Sequence, residues 1–174
     1  MILCWISYIA IKSKDKVILV IECKASSINL TASAVLQATN YAAALGAEWA
    51  AVTNGRRWLL YHVTPKKGEE PIIDEIFDVE LLDDNGISKD DIDSLYLLTE
   101  QALISGETIK TFHFFNCTSQ EKIFQAIVSE PVVHVICEEL QKLYKQEAGV
   151  LSKDINPSFI QELLVEMFIN DELE

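Results

Sequence analysis

Two charged residues, Glu22 and Lys24, follow the apolar run Val17–Ile21. The β-branched residues of that run predict a buried strand that continues to Lys24. Side chains two positions apart on a strand share a face, and burying two charges there is costly unless the face opens into a cleft. In such a cleft, Glu22 and the carbonyl of Cys23 offer the oxygen ligands that Mg²⁺ prefers. The metal would activate a water and clamp a phosphate, with Lys24 close to either one.

A second polar pair lies on the helix predicted over residues 32–46, which is rich in Ala and Leu and stops at Gly46. Gln37 and Tyr41 are four residues apart, so they share one helical face. A Glu–Lys pair at the surface end of a strand is common, and it explains the Glu22–Lys24 spacing without any chemistry. A polar pair on the next helix favours a site instead.

The elements around these residues indicate an α/β fold, with a mixed central sheet flanked by helices. Trp49–Thr53 and 57–63 are predicted strands, joined by an Asn54–Gly55 turn of the kind that is typical of hairpins. The segment 71–82 is predicted to be extended. Later helices are predicted over 89–104 behind an N-cap at Ser88, after a capping box that begins at Thr118, from Pro131, and from Pro157.

The strand with Glu-x-Lys followed by Gln37-x-x-x-Tyr41 resembles the RecB-like PD-(D/E)XK nucleases that have a QxxxY motif. The sequence around these motifs is also similar to the N-terminal nuclease domain of type I restriction enzyme R subunits and to predicted type IV restriction endonucleases. The resemblance runs through Val17–Ala25, Gln37–Tyr41 and Val52–Trp58, continues at Leu60–Tyr61, and extends more weakly through Phe124–Pro131 and the final helix.

This resemblance implies a restriction-endonuclease-like fold and a Mg²⁺- or Mn²⁺-dependent endonuclease that acts on DNA. Glu22 would be a metal ligand and Lys24 the catalytic lysine. Gln37 and Tyr41 would line the site and touch DNA or orient the lysine, although packing of the helix on the sheet explains them as well. Further matching residues belong to a strand-turn-strand that holds structure: Asn54, Gly55 and Trp58.

The match fails at the first metal ligand of the family, an Asp on the strand that precedes Glu-x-Lys. Aligning Tyr8 on the family pattern puts Ser7 in the place of this Asp, and serine offers no charge to Mg²⁺. Asp15 is the nearest acid, but it falls in the predicted Ser13–Lys16 turn. Either the sequence starts late, or the protein is a relative that has lost cleavage and acts as a nucleic-acid-binding or protein-interaction module.

Charge is distributed unevenly along the 174 residues, whose formal net charge is −13. Residues 1–80 hold eight Lys and Arg against nine Asp and Glu, a net of −1, and residues 81–174 hold six against eighteen, a net of −12. This pattern is compatible with DNA contact by the first part, which has the basic pairs Arg56–Arg57 and Lys66–Lys67. We therefore expect a nuclease-like core over 1–82 and an acidic helical region over 83–174. That region could support a homodimer or bind restriction-modification partner subunits.

The four scattered cysteines argue against a structural zinc site and against a disulfide framework. A reduced, cytosolic compartment is the expectation. The apolar runs are too short to cross a bilayer, and the first run lacks the basic leader of a secretory signal.

Overall fold

The computed structural model describes residues 8–66, 68–82 and 86–171 of the chain, with side chains as far as residue 168. Ser7, where the family pattern has an Asp, lies outside the described residues. The chain divides into two compact units, one that extends to Phe112 and one that begins at His113.

The first unit is built on a mixed sheet. Its described strands are β1 (Tyr8–Ser13), β2 (Lys16–Cys23), β3 (Trp49–Thr53), β4 (Arg57–Thr64) and β5 (Ile72–Glu80). They lie in the order β1-β2-β3-β4-β5, with β2 and β3 parallel and the other neighbours antiparallel. Helix α1 (Ala32–Leu45) connects the two parallel strands, as parallel pairing requires of a crossover. The predicted α/β fold with a mixed sheet is confirmed.

Short-range signals in the sequence set the ends of these elements. Gly46 adopts a left-handed conformation (φ 68°) and ends α1 where the glycine predicted a stop. Gly55, at φ 83°, forms the tight turn between β3 and β4 that the Asn-Gly pair predicted. The β1–β2 hairpin also turns where expected, with Ser13 opposite Lys16.

The two faces of the sheet carry separate hydrophobic clusters. On one face, α1 packs through Ala34, Ala38 and Ala42, which are buried against Val20 and Val52. Because alanine side chains are short, the α1 backbone can lie close to the strands. The opposite face is covered by the later helices of this unit.

Those helices are α2 (Lys89–Tyr96), α3 (Glu100–Ser105) and the start of α4 (Glu107–Cys117). Leu97 and Phe112 are buried there against the sheet residues Leu60 and Phe77. The compact unit therefore includes more than the predicted core over 1–82, and the division of labour between that core and the region 83–174 stays a prediction.

Two predicted helix boundaries were wrong. The helix expected over 89–104 is two helices, because the Thr99 hydroxyl accepts a hydrogen bond from Ala102 N and begins a new helix. The capping box expected at Thr118 is also displaced, since the N-cap is Ser119, whose hydroxyl accepts from Lys122 N. The Thr118 hydroxyl instead donates to Phe114 O at 2.8 Å. The predicted N-cap at Ser88 is confirmed, with a full capping box.

The second unit contains three further helices, α5 (Gln120–Ile127), α6 (Glu130–Ala148) and α7 (Pro157–Asp171). Its small core joins Val133 and Cys137 of α6 to Ile160 of α7. The helices predicted from Pro131 and Pro157 are confirmed. None of the helices among the described residues is long and apolar enough to span a bilayer.

Substitution of Ala38 tests the close approach of α1. Ala38 is fully buried, so we expect Ala38→Leu to overpack the interface and lower the free energy of unfolding by about 1–3 kcal/mol. Ala44 lies on the same helix but is exposed, so Ala44→Leu should change the free energy by less than about 0.5 kcal/mol. Urea denaturation measures both variants, and equal effects would contradict this packing.

Candidate functional site

The centre of the site is Glu22, a carboxylate with no solvent exposure. It lies on β2, opposite Tyr8 of β1 and beside Val52 of β3. The sheet therefore surrounds Glu22 on both sides, and its side chain projects to the face that α1 covers. Burial of a charged carboxylate is expensive unless it is paired and hydrogen-bonded.

The partner of Glu22 is Lys24, as the two-residue spacing predicted. Lys24 Nζ donates to Glu22 Oε1 at 2.6 Å and to Gln37 Oε1 at 2.9 Å. The Lys24 backbone N–H donates to Thr53 O at 2.8 Å, which fixes the end of β2 beside β3. The side chain of Lys24 is 23% exposed and that of Glu22 is fully buried, so Lys24 is the member of the ion pair that solvent and ligands can reach.

Gln37 and Tyr41 extend this polar chain along α1. Gln37 Nε2 donates to the Tyr41 hydroxyl at 3.3 Å, and the Gln37 carbonyl oxygen faces Lys24 as described. The structure thus brings together the four side chains that the sequence singled out as catalytic, although contact alone does not assign their roles. Gln37 and Tyr41 lie at the edge of the buried alanine face of α1. They can therefore take part in the polar chain while α1 packs on the sheet.

Tyr8 is a neighbour that the sequence used only to align the family pattern. Its ring lies 4.7 Å from that of Tyr41, centroid to centroid. Residues directly opposite on antiparallel strands share a face, so Tyr8 and Glu22 project to the same side of the sheet. The turn after Ser13 does not by itself give this pairing, because the β1–β2 register shifts by one residue between Ile11 and Lys12.

Cys23 lies between the charged residues, and its side chain belongs to the hydrophobic cluster on the opposite face of the sheet. The Cys23 thiol is therefore directed away from Glu22, which leaves its backbone carbonyl as the predicted ligand. Burial raises the pKa of the Cys23 thiol, and the negative charge of Glu22 raises it further.

The described residues contain no group of three or more His, Cys, Asp or Glu side chains that could hold a metal ion. Asp15 lies in the turn between Ser13 and Lys16, six or seven residues along the hairpin from Glu22, a distance of about 20 Å at the usual rise of a strand. Mg²⁺ is usually held by more than one carboxylate or by substrate phosphates as well. Glu22 and the Cys23 carbonyl therefore do not make a complete Mg²⁺ site within the described part of the chain.

Basic residues near the β3–β4 turn are ion-paired in this structure. Arg57 forms a two-pronged interaction with Asp78, and Arg56 Nε lies 3.8 Å from Glu80 Oε1. Arg56 and Arg57 thus each have an acidic neighbour on β5. Lys24 is also paired with an acid, but its partner Glu22 is part of the polar chain of the site.

The thiol of Cys23 can report on the charge of Glu22. Because its pKa is raised and the thiolate is the reactive form, we expect alkylation by iodoacetamide to require higher pH in the folded protein than in urea. Glu22→Gln removes a negative charge and should move the folded-state midpoint to lower pH. Mass spectrometry of the Cys23 peptide measures both profiles, and an identical midpoint in Glu22→Gln would contradict a charged Glu22 beside the thiol.

The residues that match a known family include most of the strands and all of the described side chains of this site. A family model described as the type I restriction enzyme R protein N terminus (HSDR_N) matches residues 6–76. No curated protein and no solved structure matched the chain. The matched residues include β1 to β4, α1 and most of β5, and they agree with the resemblance carried by Glu22, Lys24, Gln37 and Tyr41. Over residues 6–76, the chain is similar to the N terminus of type I restriction enzyme R proteins.

Proposed function

We propose that the first unit cleaves phosphodiester bonds of DNA as the nuclease module of a restriction system. The observation that carries this proposal is the Lys24 ammonium, which is held between the Glu22 carboxylate and the Gln37 amide on a side chain that is still partly exposed. A cation that is fixed in place before the substrate arrives stabilises developing negative charge without reorganisation. A DNA phosphate is the substrate group that such a cation suits.

Each side chain has a distinct role in this proposal. Lys24 binds the phosphate or the attacking water and offsets charge in the transition state. Glu22 holds the Lys24 ammonium at 2.6 Å. Gln37 orients the same ammonium from α1, and its own amide is in turn oriented by the Tyr41 hydroxyl. Gln37 and Tyr41 also offer polar groups to the DNA backbone.

Mg²⁺ or Mn²⁺ is part of the proposal, with Glu22 and the Cys23 carbonyl as two of its ligands. These groups do not complete a site among the described residues, so we propose that a further ligand must come from outside them. By the family pattern that ligand would belong at Ser7.

A second candidate function is DNA binding without cleavage. The observation that favours it is the closed Glu22–Lys24 pair, in which one carboxylate oxygen of the proposed metal ligand, Oε1, is already bound to the ammonium. A relative that lacks the family Asp could retain this pair for phosphate binding alone. Both candidates predict DNA binding, and cleavage separates them.

Nicking of supercoiled plasmid DNA in Mg²⁺ or Mn²⁺ tests the proposed function. Lys24→Arg keeps the charge but changes the geometry of the ammonium, and we expect it to slow nicking about a hundredfold. Glu22→Gln should have a similar effect. Lys16 forms a 2.7 Å pair with Glu48 at the other end of β2, where both side chains are exposed, so Lys16→Arg is the matched control.

Three results are informative in this assay. Nicking that is lost in Lys24→Arg and Glu22→Gln but kept in Lys16→Arg supports the nuclease. Binding of the plasmid by the unmodified chain without any nicking supports the second candidate. If the unmodified chain neither binds nor nicks the plasmid, both proposed functions are ruled out for this chain. Unfolding curves for each variant are needed, because removing one member of a buried pair can cost about 3–5 kcal/mol.

Substitution of Ser7 tests the missing ligand. We expect Ser7→Asp to tighten Mn²⁺ binding in calorimetry by at least about tenfold, because a second carboxylate would join Glu22. The double variant Ser7→Asp/Glu22→Gln should lose this gain. A Ser7→Asp protein that binds Mn²⁺ no better than the unmodified chain would mean that Ser7 does not stand in the ligand position.

A further inference from the structure

The turn between β3 and β4 contains Asn54, which has no role in the mechanism proposed above. Asn54 Oδ1 accepts hydrogen bonds from Arg56 N at 3.0 Å and Arg57 N at 2.9 Å, which are contacts within its own turn. Asn54 Nδ2 leaves the turn and donates to Ile28 O at 2.9 Å. One amide therefore joins two segments that are 26 residues apart.

The segment that Asn54 reaches is the connection between Lys24 and α1. A backbone bond from Ile28 N to Ala25 O at 2.9 Å closes a turn just after Lys24, and α1 begins at Ala32. This connection therefore links the residue that carries the ammonium to the helix that carries Gln37. Its anchoring affects how α1 is placed along the sheet, and hence the 2.9 Å contact of Gln37 Oε1 with Lys24 Nζ.

The turn itself has support that does not depend on the Asn54 amide nitrogen. Thr53 Oγ1 donates to Arg57 O at 2.9 Å and accepts from Gly55 N at 2.9 Å. Removal of the Nδ2 donor should thus leave the β3–β4 turn folded. The bond to Ile28 has a different consequence, since it restrains the other segment.

We propose that Asn54 is a positioning residue of the site, which acts through Ile28 to hold the Lys24–α1 connection and so keeps Gln37 on the Lys24 ammonium. The inference rests on the proposed function for its catalytic consequence. It also gives a chemical reason for an asparagine in this turn. Aspartate can accept from the turn N–H groups but has no donor for the Ile28 carbonyl, and serine has one hydroxyl in place of the two amide atoms that Asn54 uses.

Two substitutions isolate the donor. Asn54→Asp keeps the acceptor oxygen and turns a second oxygen toward Ile28 O. Asn54→Ser removes the Nδ2 amide donor and shortens the side chain without adding charge. We expect both to lower kcat for DNA nicking by about tenfold to a hundredfold, because small displacements of catalytic groups are costly. KM for DNA should change less than about threefold in Asn54→Ser, since the groups that bind DNA remain.

Asn156 supplies a matched control in the second unit. Its Nδ2 donates to Asp154 O at 3.1 Å and its Oδ1 accepts from Phe159 N at 3.1 Å, so Asn156→Asp makes the same chemical change in a turn of the second unit. This control should leave kcat unchanged. Thermal unfolding separates positioning from stability, because a merely structural role for Asn54 would lower the midpoint and leave kcat of the folded protein intact.

The side-chain amide signal of Gln37 in a ¹H–¹⁵N spectrum gives a readout that does not depend on cleavage. It should shift in Asn54→Ser and Asn54→Asp and stay in place in Asn156→Asp. If the unmodified chain does not cleave DNA, the proposed function fails and this signal alone decides the positioning role. An unshifted Gln37 signal in both Asn54 variants, or unchanged kcat in both, would overturn the inference.

Discussion

The ion pair between Glu22 and Lys24 is the constraint on which the rest of the site depends. A carboxylate with no solvent exposure loses several kcal/mol of hydration, and a close, hydrogen-bonded ammonium is what makes its burial tolerable. The same contact restrains Lys24 in a partly exposed place. Burial of Glu22 thus lowers stability, but its carboxylate holds the Lys24 ammonium in place. A fixed cation of this kind is expected at a site that binds an anion.

The β2–β3 pairing and helix α1 determine which side chains lie around this ion pair. Parallel pairing of β2 with β3 demands a crossover, and α1 is that crossover. Its buried alanines bring the helix close enough for Gln37 to reach Lys24. The hydrogen bond from Asn54 to Ile28 O then ties the start of this crossover to the turn beyond β3. Fold and site are therefore set by the same few connections.

Much of this arrangement follows from local patterns in the sequence. Alternation along β2 placed Glu22 and Lys24 on one face, helical spacing placed Gln37 with Tyr41, and Asn54–Gly55 located the hairpin. Features that depend on competition between neighbours were not predictable, such as Ser119 capping α5 instead of Thr118. The contact of Lys24 with both Glu22 and Gln37 was only partly expected. The resemblance implied that Gln37 touches DNA or orients the lysine, but the contact itself depends on the distance between strand and helix, which residue spacing does not give. Tyr8 was missed as a neighbour of Tyr41 because strand register had to be known first.

The central claim is that a DNA phosphate binds at the Lys24 ammonium. The most direct measurement is an NMR titration of lysine-labelled protein with a short DNA duplex, following the terminal side-chain signals of Lys24 and Lys16. Our account predicts a saturable shift of the Lys24 signal and little change for Lys16, which is paired with Glu48 at the far end of the same strand. A Lys24 signal that stays fixed while the protein binds DNA would contradict it.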